Sequence, residues 1–212
     1  PIFTNILLGD EINRAPTKTQ SALLEAMQEG QVTIEGHTHT LERPFLVLAT
    51  QNPIEQQGVY PLPEAQLDRF LLKVRIRYPS AQEEIDILRT HRQEPPPLEQ
   101  IWSAEEIYEV MKLVEKVHAT EEIMSYIVAL SRQTRRDKRV LLGASPRASL
   151  ALLKAAQARA LIQGRDYVLP DDIQVLAETI LAHRLLLHPD AELDGASVSQ
   201  IIKSALGSVR YG

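Results

Sequence analysis

Two adjacent carboxylates, Asp10 and Glu11, close a short apolar run in ILLGDEINRAP, Ile6 to Pro16. Unbroken Ile6-Leu7-Leu8 reads as a strand buried on both faces, as in a parallel sheet. Ligands of open parallel sheets bind beyond the carboxyl ends of the strands. Two acids at that rim suit a metal–phosphate reaction. One carboxylate can hold Mg²⁺ or its water shell, and the other can orient or deprotonate an attacking water. Neighbouring strand residues point to opposite sides, which would give the acids separate tasks. The same pair also fits a solvated strand end before a turn. A second signal is Arg147, in GASPRAS. Ser145 and Pro146 read as the cap and first residue of a helix, so Arg147 falls in the first turn. There the helix dipole disfavours a cation by about 0.3 kcal/mol or more. A bound phosphate would reverse that sign, because N-terminal amides and a guanidinium both attract it. An exposed arginine tolerated at that small cost is the plainer alternative.

The elements that would position these residues divide the chain in two. Residues 2–10 read as a strand. Residues 17–29 read as a helix, with Leu23, Leu24 and Met27 at helical spacing and Gly30 as its C-terminal cap. QVTIEGHTHTL alternates about Glu35-Gly36, a β-hairpin signal. PFLVLATQNP is a second buried-type strand that ends in the polar loop Thr50-Gln51-Asn52-Pro53. PEAQLDRF reads as a short helix and LLKVRIRYP as a third strand. From Ser80 the character changes. SAQE fits a capping box opening a helix that runs to about Arg92. The prolines of EPPPLEQ form a stiff linker. Beyond it only helices are expected: one opened by a capping box at Ser103–Glu106, then 121–137, 146–163, 170–187 and 196–209. The expected fold class is therefore α/β plus all-α. Its parts are residues 1–79, a helix and linker over 80–100, and a helical unit over 101–212.

Composition narrows the function classes. With 44% hydrophobic and 24% charged residues among 212, the chain has the make-up of a globular protein with a real core. A net charge of −5 argues against a mainly electrostatic nucleic-acid binder. The basic residues Arg132, Arg135, Arg136, Lys138 and Arg139 cluster, but they read as a solvated helix end and loop. The chain has no cysteine, which removes disulfides and thiolate metal sites. His37 and His39 fall on one face of the hairpin with no third ligand apparent, so a surface hairpin is favoured over a metal site. No signal peptide or membrane-spanning run is visible, and the cytoplasm is the expected location.

GDEINRAP, a Leu-rich helix, LATQNP, LPEAQLDRF and GASPRAS, in that order, resemble the AAA+ ATPases, and within them the MoxR family. Any one block is weak; the ordered set is specific and covers nearly the whole chain. The resemblance implies part of an AAA+ αβα core, a parallel sheet with a β-hairpin insertion, followed by a helical lid. ILLGDE corresponds to the Walker B strand, with Asp10 coordinating Mg²⁺ and Glu11 activating water. Asn52 corresponds to sensor 1, Arg69 in LDRF to the arginine finger that reaches a neighbouring subunit's nucleotide, and Arg147 to sensor 2. A guanidinium suits the finger because it keeps its charge and offers a fork of donors. For Asn52 the plainer alternative is a turn residue before Pro53. For Arg69 it is an ion pair with Glu64 or Asp68. Arg14 could face a subunit interface or pair with a nearby acid.

The family resemblance further implies ATP as ligand, a homo-oligomeric, hexameric ring, and chaperone-like remodelling of a client protein. It implies no membrane partner, and the non-basic hairpin disfavours nucleic acid. A phosphate-binding loop G-x-x-x-x-G-K-[ST] does not occur in the sequence. In the family it precedes Walker B, so the chain is expected to be a piece of a longer protein and to bind ATP negligibly by itself. The family's sheet order places the loop-bearing strand between FLVLAT and LLKVRIR. Those two strands must then close the gap, borrow a strand, or leave unpaired edges. Two competing functions stay open: a non-hydrolysing scaffold that keeps the fold, and a nucleic-acid motor of the same AAA+ branch.

Overall fold

The structure, a computed structural model, describes residues 2–52, 60–90 and 97–211. The first strand, β1, is Ile6–Gly9, and a 3-10 turn over Ile12–Arg14 leads into helix α1, Thr17–Glu29. Gly30 ends α1 at φ 63°, a left-handed cap whose amide donates to Ala26 O. Hairpin strands β2 (Gln31–Ile34) and β3 (His37–Thr40) follow, then β4 (Leu46–Ala49). The hairpin turns through Glu35 and Gly36, both at positive φ, which is the two-residue geometry that Glu-Gly foretold. His37 and His39 share a face of β3, and His39 packs edge-on against Phe3. Strands β1 and β4 pair in parallel, from Ile6 opposite Leu46 to Gly9 opposite Ala49. This register brings the ends of both strands to one rim, with Asp10 and Glu11 beside Thr50.

Helix α1 covers one face of that two-stranded sheet. Leu7 and Val47 join Leu23, Ile12 and Leu62 in a small core. The other face carries Ile6 (61% exposed) and Leu8 (65% exposed), with Leu46 and Leu48 beside them. The expectation of burial on both faces thus fails among the described residues. An apolar run without alternation records what could cover a strand, and no layer among the described residues lies on the second face. The third expected strand also fails. After helix α2, Glu64–Leu67, residues 71–79 form no ladder, and Ile76 is 93% exposed. A strand needs neighbouring N–H and C=O groups. Residues 71–79 have one backbone tie of this kind, Lys73 N to Thr179 O, and it goes to a helix. Of the three outcomes open to the sheet, the unpaired edge is the one seen among the described residues.

Helix α3 spans Ala81–Thr90 behind the expected box: the Ser80 amide donates to Glu83 Oε2 at 2.7 Å. The carboxylate of Glu83 is held below its usual pKa range by the Ser80 hydroxyl and amide. Pro53, the helix end at Arg92 and linker residues Pro95 and Pro96 lie outside the described residues. Helix α4, Ala104–Val114, opens at Ser103 with a complete capping box. Then come α5 (Glu121–Arg136), β5 (Val140–Leu142), α6 (Pro146–Ile162), α7 (Pro170–Leu181), β6 (Leu186–Leu187), α8 (Pro189–Leu193) and α9 (Val198–Ser208). Their core is built from residues such as Ile123, Leu130, Leu152, Ile173, Ile180 and Ile201, each at most 1% exposed.

The all-helical expectation for this part needs two corrections. The helix expected over 170–187 stops at Leu181, and the chain passes through a 3-10 turn into β6, which pairs antiparallel with β5. Leu185-Leu186-Leu187 extends the apolar pattern of a helix, but Leu187 and Val140 pack as a strand pair at the core's edge. No helix among the described residues is long and apolar enough to cross a membrane.

Candidate active site

The rim begins where β1 ends. Glu11 is not a strand residue: it sits at φ 47°, ψ 51°, the left-handed region, at the entry to the 3-10 turn. A non-glycine residue there carries strain of about 1 kcal/mol or more. Strand alternation therefore does not separate the two acids; the left-handed break does. Thr50, one residue beyond β4, ties them together. Its hydroxyl accepts from the Glu11 amide at 2.8 Å and donates to Asp10 Oδ1 in a short contact. Backbone bonds from Thr50 N to Gly9 O and from Ile12 N to Thr50 O, both 3.0 Å, fix the crossing. Oδ2 of Asp10 has no protein partner among the described residues. In the sequence Thr50 reads as part of a polar loop. The signal for it was a hydroxyl directly after an apolar strand and opposite the acids.

The side chain of Glu11 is held at both oxygens. Asn52 Nδ2 lies 3.5 Å from Oε1, and Arg14 Nε lies 2.8 Å from Oε2. Asp10, Glu11 and Asn52 are thus brought to one place, and of the two readings of Arg14 the ion pair is present. Asn13, 6% exposed, reinforces the rim by donating to Asn52 O at 3.3 Å. Gln20, 2% exposed, reaches from α1 to Ile12 O and Tyr60 O, anchoring the turn from behind.

Arg69 and Arg147 belong to a second cluster, built around Asp68. Arg69 is exposed, and no hydrogen bond or ion pair of its guanidinium is seen among the described residues. The ion pair with Asp68 does not form, because Asp68 is taken by other groups. Ser145 Oγ donates to its carboxylate at 3.0 and 3.1 Å, and Arg184 Nε donates to Oδ1 at 2.9 Å. Arg147 Nη1 stands 3.8 Å away, with its side chain 49% exposed. As expected, Ser145 caps α6 through the Ala148 amide, Pro146 is the first helical residue and Arg147 follows it. An anion does lie at this helix start, and in the chain itself it is the carboxylate of Asp68. The approach to α6 is held by Ala144 N donating to Thr134 Oγ1 at 3.0 Å. At Gly143 an added Cβ would lie 2.8 Å from Arg135 Cα, so only glycine fits.

His183 and Arg184 fall inside the helix expected over 170–187, and the structure places them beyond its end at Leu181. The Arg184 side chain is 2% exposed and satisfied throughout. Nη1 donates to Leu71 O and Ile180 O, and Nη2 donates to Phe70 O at 2.6 Å and Asp68 O at 3.2 Å. Burial lowers its pKa, opposed by the Asp68 charge, and the guanidinium remains ionised. His183 Nε2 lies 3.0 Å from Phe70 O. A carbonyl only accepts, so the proton is on Nε2 and Nδ1 is a buried lone pair without a partner among the described residues. Burial pushes this imidazole down to about 4, with the Arg184 and Lys73 charges acting in the same sense. The signal in the sequence was a histidine and an arginine inside the apolar stretch ILAHRLLL, where a polar ring and a charge both need partners.

An acid pair at a strand rim, one acid oriented by an amide, together with exposed guanidinium groups, can position a water against a phosphate and offset charge on it. Comparison with known proteins bears on this. The family described as ATPase family associated with various cellular activities (AAA) matches residues 1–72, and the AAA lid domain matches residues 132–205. The chain is 51% identical over 212 residues to the YeaC protein of Bacillus subtilis, covering 99% of the chain and 66% of YeaC. It is 44% identical to the chaperone MoxR1 of Mycobacterium tuberculosis, covering 99% of the chain and 58% of that relative. A candidate ATPase from Cytophaga hutchinsonii, solved by crystallography, superposes with a TM-score of 0.94 at 43% identity, over 100% of this chain and 68% of its own. The chain therefore spans less than two thirds of the length of these two curated relatives.

Proposed function

The chain belongs to the MoxR family of AAA+ ATPases, and from that premise we propose that its β1–β4 rim is the hydrolytic half of an ATP site. The observation that supports this best is the Glu11 carboxylate, held at 3.5 Å by Asn52 and at 2.8 Å by Arg14 in a strained left-handed conformation. In this reading Glu11 orients the attacking water and takes its proton, and Asn52 keeps the carboxylate aimed at the γ-phosphate. Asp10 and Thr50 present only hard oxygen atoms, a donor set that fits Mg²⁺. When bound there, Mg²⁺ offsets negative charge on the phosphates. Arg147, half exposed at the start of α6, reaches the phosphates of a bound nucleotide. Arg69, exposed and unpartnered among the described residues, supplies the finger to the neighbouring subunit.

The whole protein would form a ring, with six subunits the arrangement expected for the family, and would use ATP turnover to remodel a client protein. The name of the Mycobacterium relative, a chaperone, supports the client part of this reading. Phosphate release from ATP by the full-length protein, with and without Mg²⁺, tests it. Mg²⁺-dependent turnover supports the reading. Nucleotide binding without any turnover favours the non-hydrolysing scaffold instead. The 212-residue polypeptide, which lacks a G-x-x-x-x-G-K-[ST] loop, is expected to show no tight ATP binding by calorimetry.

A further inference from the structure

We infer that Asp68 and Arg184 form a positioning latch through which the helical lid sets the Arg69 guanidinium, so that the lid of one subunit governs the finger offered to the next. This rests on the roles proposed above for Arg69 and Arg147. Arg69 has no side-chain bond of its own among the described residues, and the helix before it, α2, has four residues. A helix that short does not hold its own conformation. Leu67 and Phe70 pack on the small core, and Arg184 ties the segment to the lid. Arg184 Nη2 donates to the carbonyls of Asp68 and Phe70, at 3.2 and 2.6 Å, one on each side of Arg69. Nε of the same side chain holds the Asp68 carboxylate, and His183 holds the Phe70 carbonyl a second time. A single buried guanidinium thus straddles the finger residue.

The carboxylate of Asp68 faces the other way as well. It accepts from Ser145 Oγ at the start of α6 and lies 3.8 Å from Arg147. One carboxylate therefore joins the helix that carries the phosphate-sensing arginine to the segment that carries the finger. Buried ion pairs add little net stability over apolar packing of the same shape, and their best-attested gain is defined geometry. The Arg184 contacts bridge 113 to 116 residues of sequence and cross from the lid to the α/β part, where geometry is what the finger requires. Arg147 is beyond hydrogen-bond distance from Asp68, so it can turn to a phosphate without breaking a bond while Arg184 keeps its grip.

Asp68→Asn in the full-length protein tests the latch, since it removes the charge and keeps the shape. Expected is a fall in kcat of about 10–100-fold from a displaced finger. ATP affinity should stay close to wild type, while the thermal midpoint falls, because Arg184 is left as a buried charge without its carboxylate. Mixing is the decisive readout. Asp68→Asn subunits keep their own Glu11, and Glu11→Gln subunits keep an intact finger. Mixed rings should therefore turn over ATP faster than either variant alone. If Asp68→Asn does not fold, Arg184→Lys is put through the same mixing, because one ammonium reaches Asp68 but cannot span the carbonyls. Unchanged kcat, a loss of ATP affinity that matches the loss of kcat, or mixtures no faster than their parents overturns the latch. Wild-type protein without turnover overturns the functional reading, and the latch with it.

Discussion

Lowering pH should loosen the joint between the lid and the α/β part through one residue, His183. The imidazole is 9% exposed, donates from Nε2 to Phe70 O, and leaves Nδ1 facing a buried site beside the Arg184 guanidinium. Protonating Nδ1 would place a second buried charge there, which is why the pKa falls from 6.5 to about 4. The sign follows from proton counting. Between those values the unfolded chain binds a proton that the folded chain refuses, so stability drops as pH falls through that window. Integrating the two titrations gives a loss of about 2 kcal/mol between pH 7 and pH 5. For a chain of this size that is a fall in thermal midpoint of about 4–8 °C. The assay is thermal unfolding across pH 7 to 5 of the wild type and of His183→Gln, whose amide can still donate to Phe70 O but does not titrate. The groups that share the joint, Asp68, Lys73 and Arg184, are common to both proteins and cancel in the difference. Asp137 and Asp172, whose carboxylates are held below their usual range by Arg139 and Arg165, lose their contribution only at lower pH. Parallel pH profiles for the two proteins would refute the argument.

Two other predictions are local. Gly143→Ala forces a Cβ to 2.8 Å from the Arg135 backbone, and a destabilisation of about 1–3 kcal/mol is expected in denaturant unfolding. An unchanged midpoint would show that the approach to α6 is softer than its packing suggests. Glu11→Gly relieves the left-handed strain and should raise stability by about 1 kcal/mol while abolishing turnover. A lowered midpoint would show that the Asn52 and Arg14 contacts outweigh the strain.

The legible parts of the fold were those whose cause is local. Ser103 and Glu106, Ser80 and Glu83, Gly30, and Glu35-Gly36 each act within a few residues of themselves, and each forms what its spacing foretold. The strand expected over 71–79 failed because its pairing depends on a neighbour that sequence spacing cannot supply. The residues of the rim were legible as types, an acid pair and a terminal amide. Their geometry was not, because the left-handed turn at Glu11 and its tie to Thr50, 39 residues on, arise from the parallel β1–β4 register. The grip of Arg184 on Asp68 spans 116 residues and left only an oblique trace, a charge inside an apolar run.

The claim that Glu11 activates water is tested most directly by single-turnover hydrolysis of radiolabelled ATP by the full-length protein and its Glu11→Gln variant, with ATP binding measured in parallel. The account predicts that the variant binds ATP as tightly as wild type and hydrolyses it at least about 100-fold more slowly. Equal hydrolysis rates would contradict it.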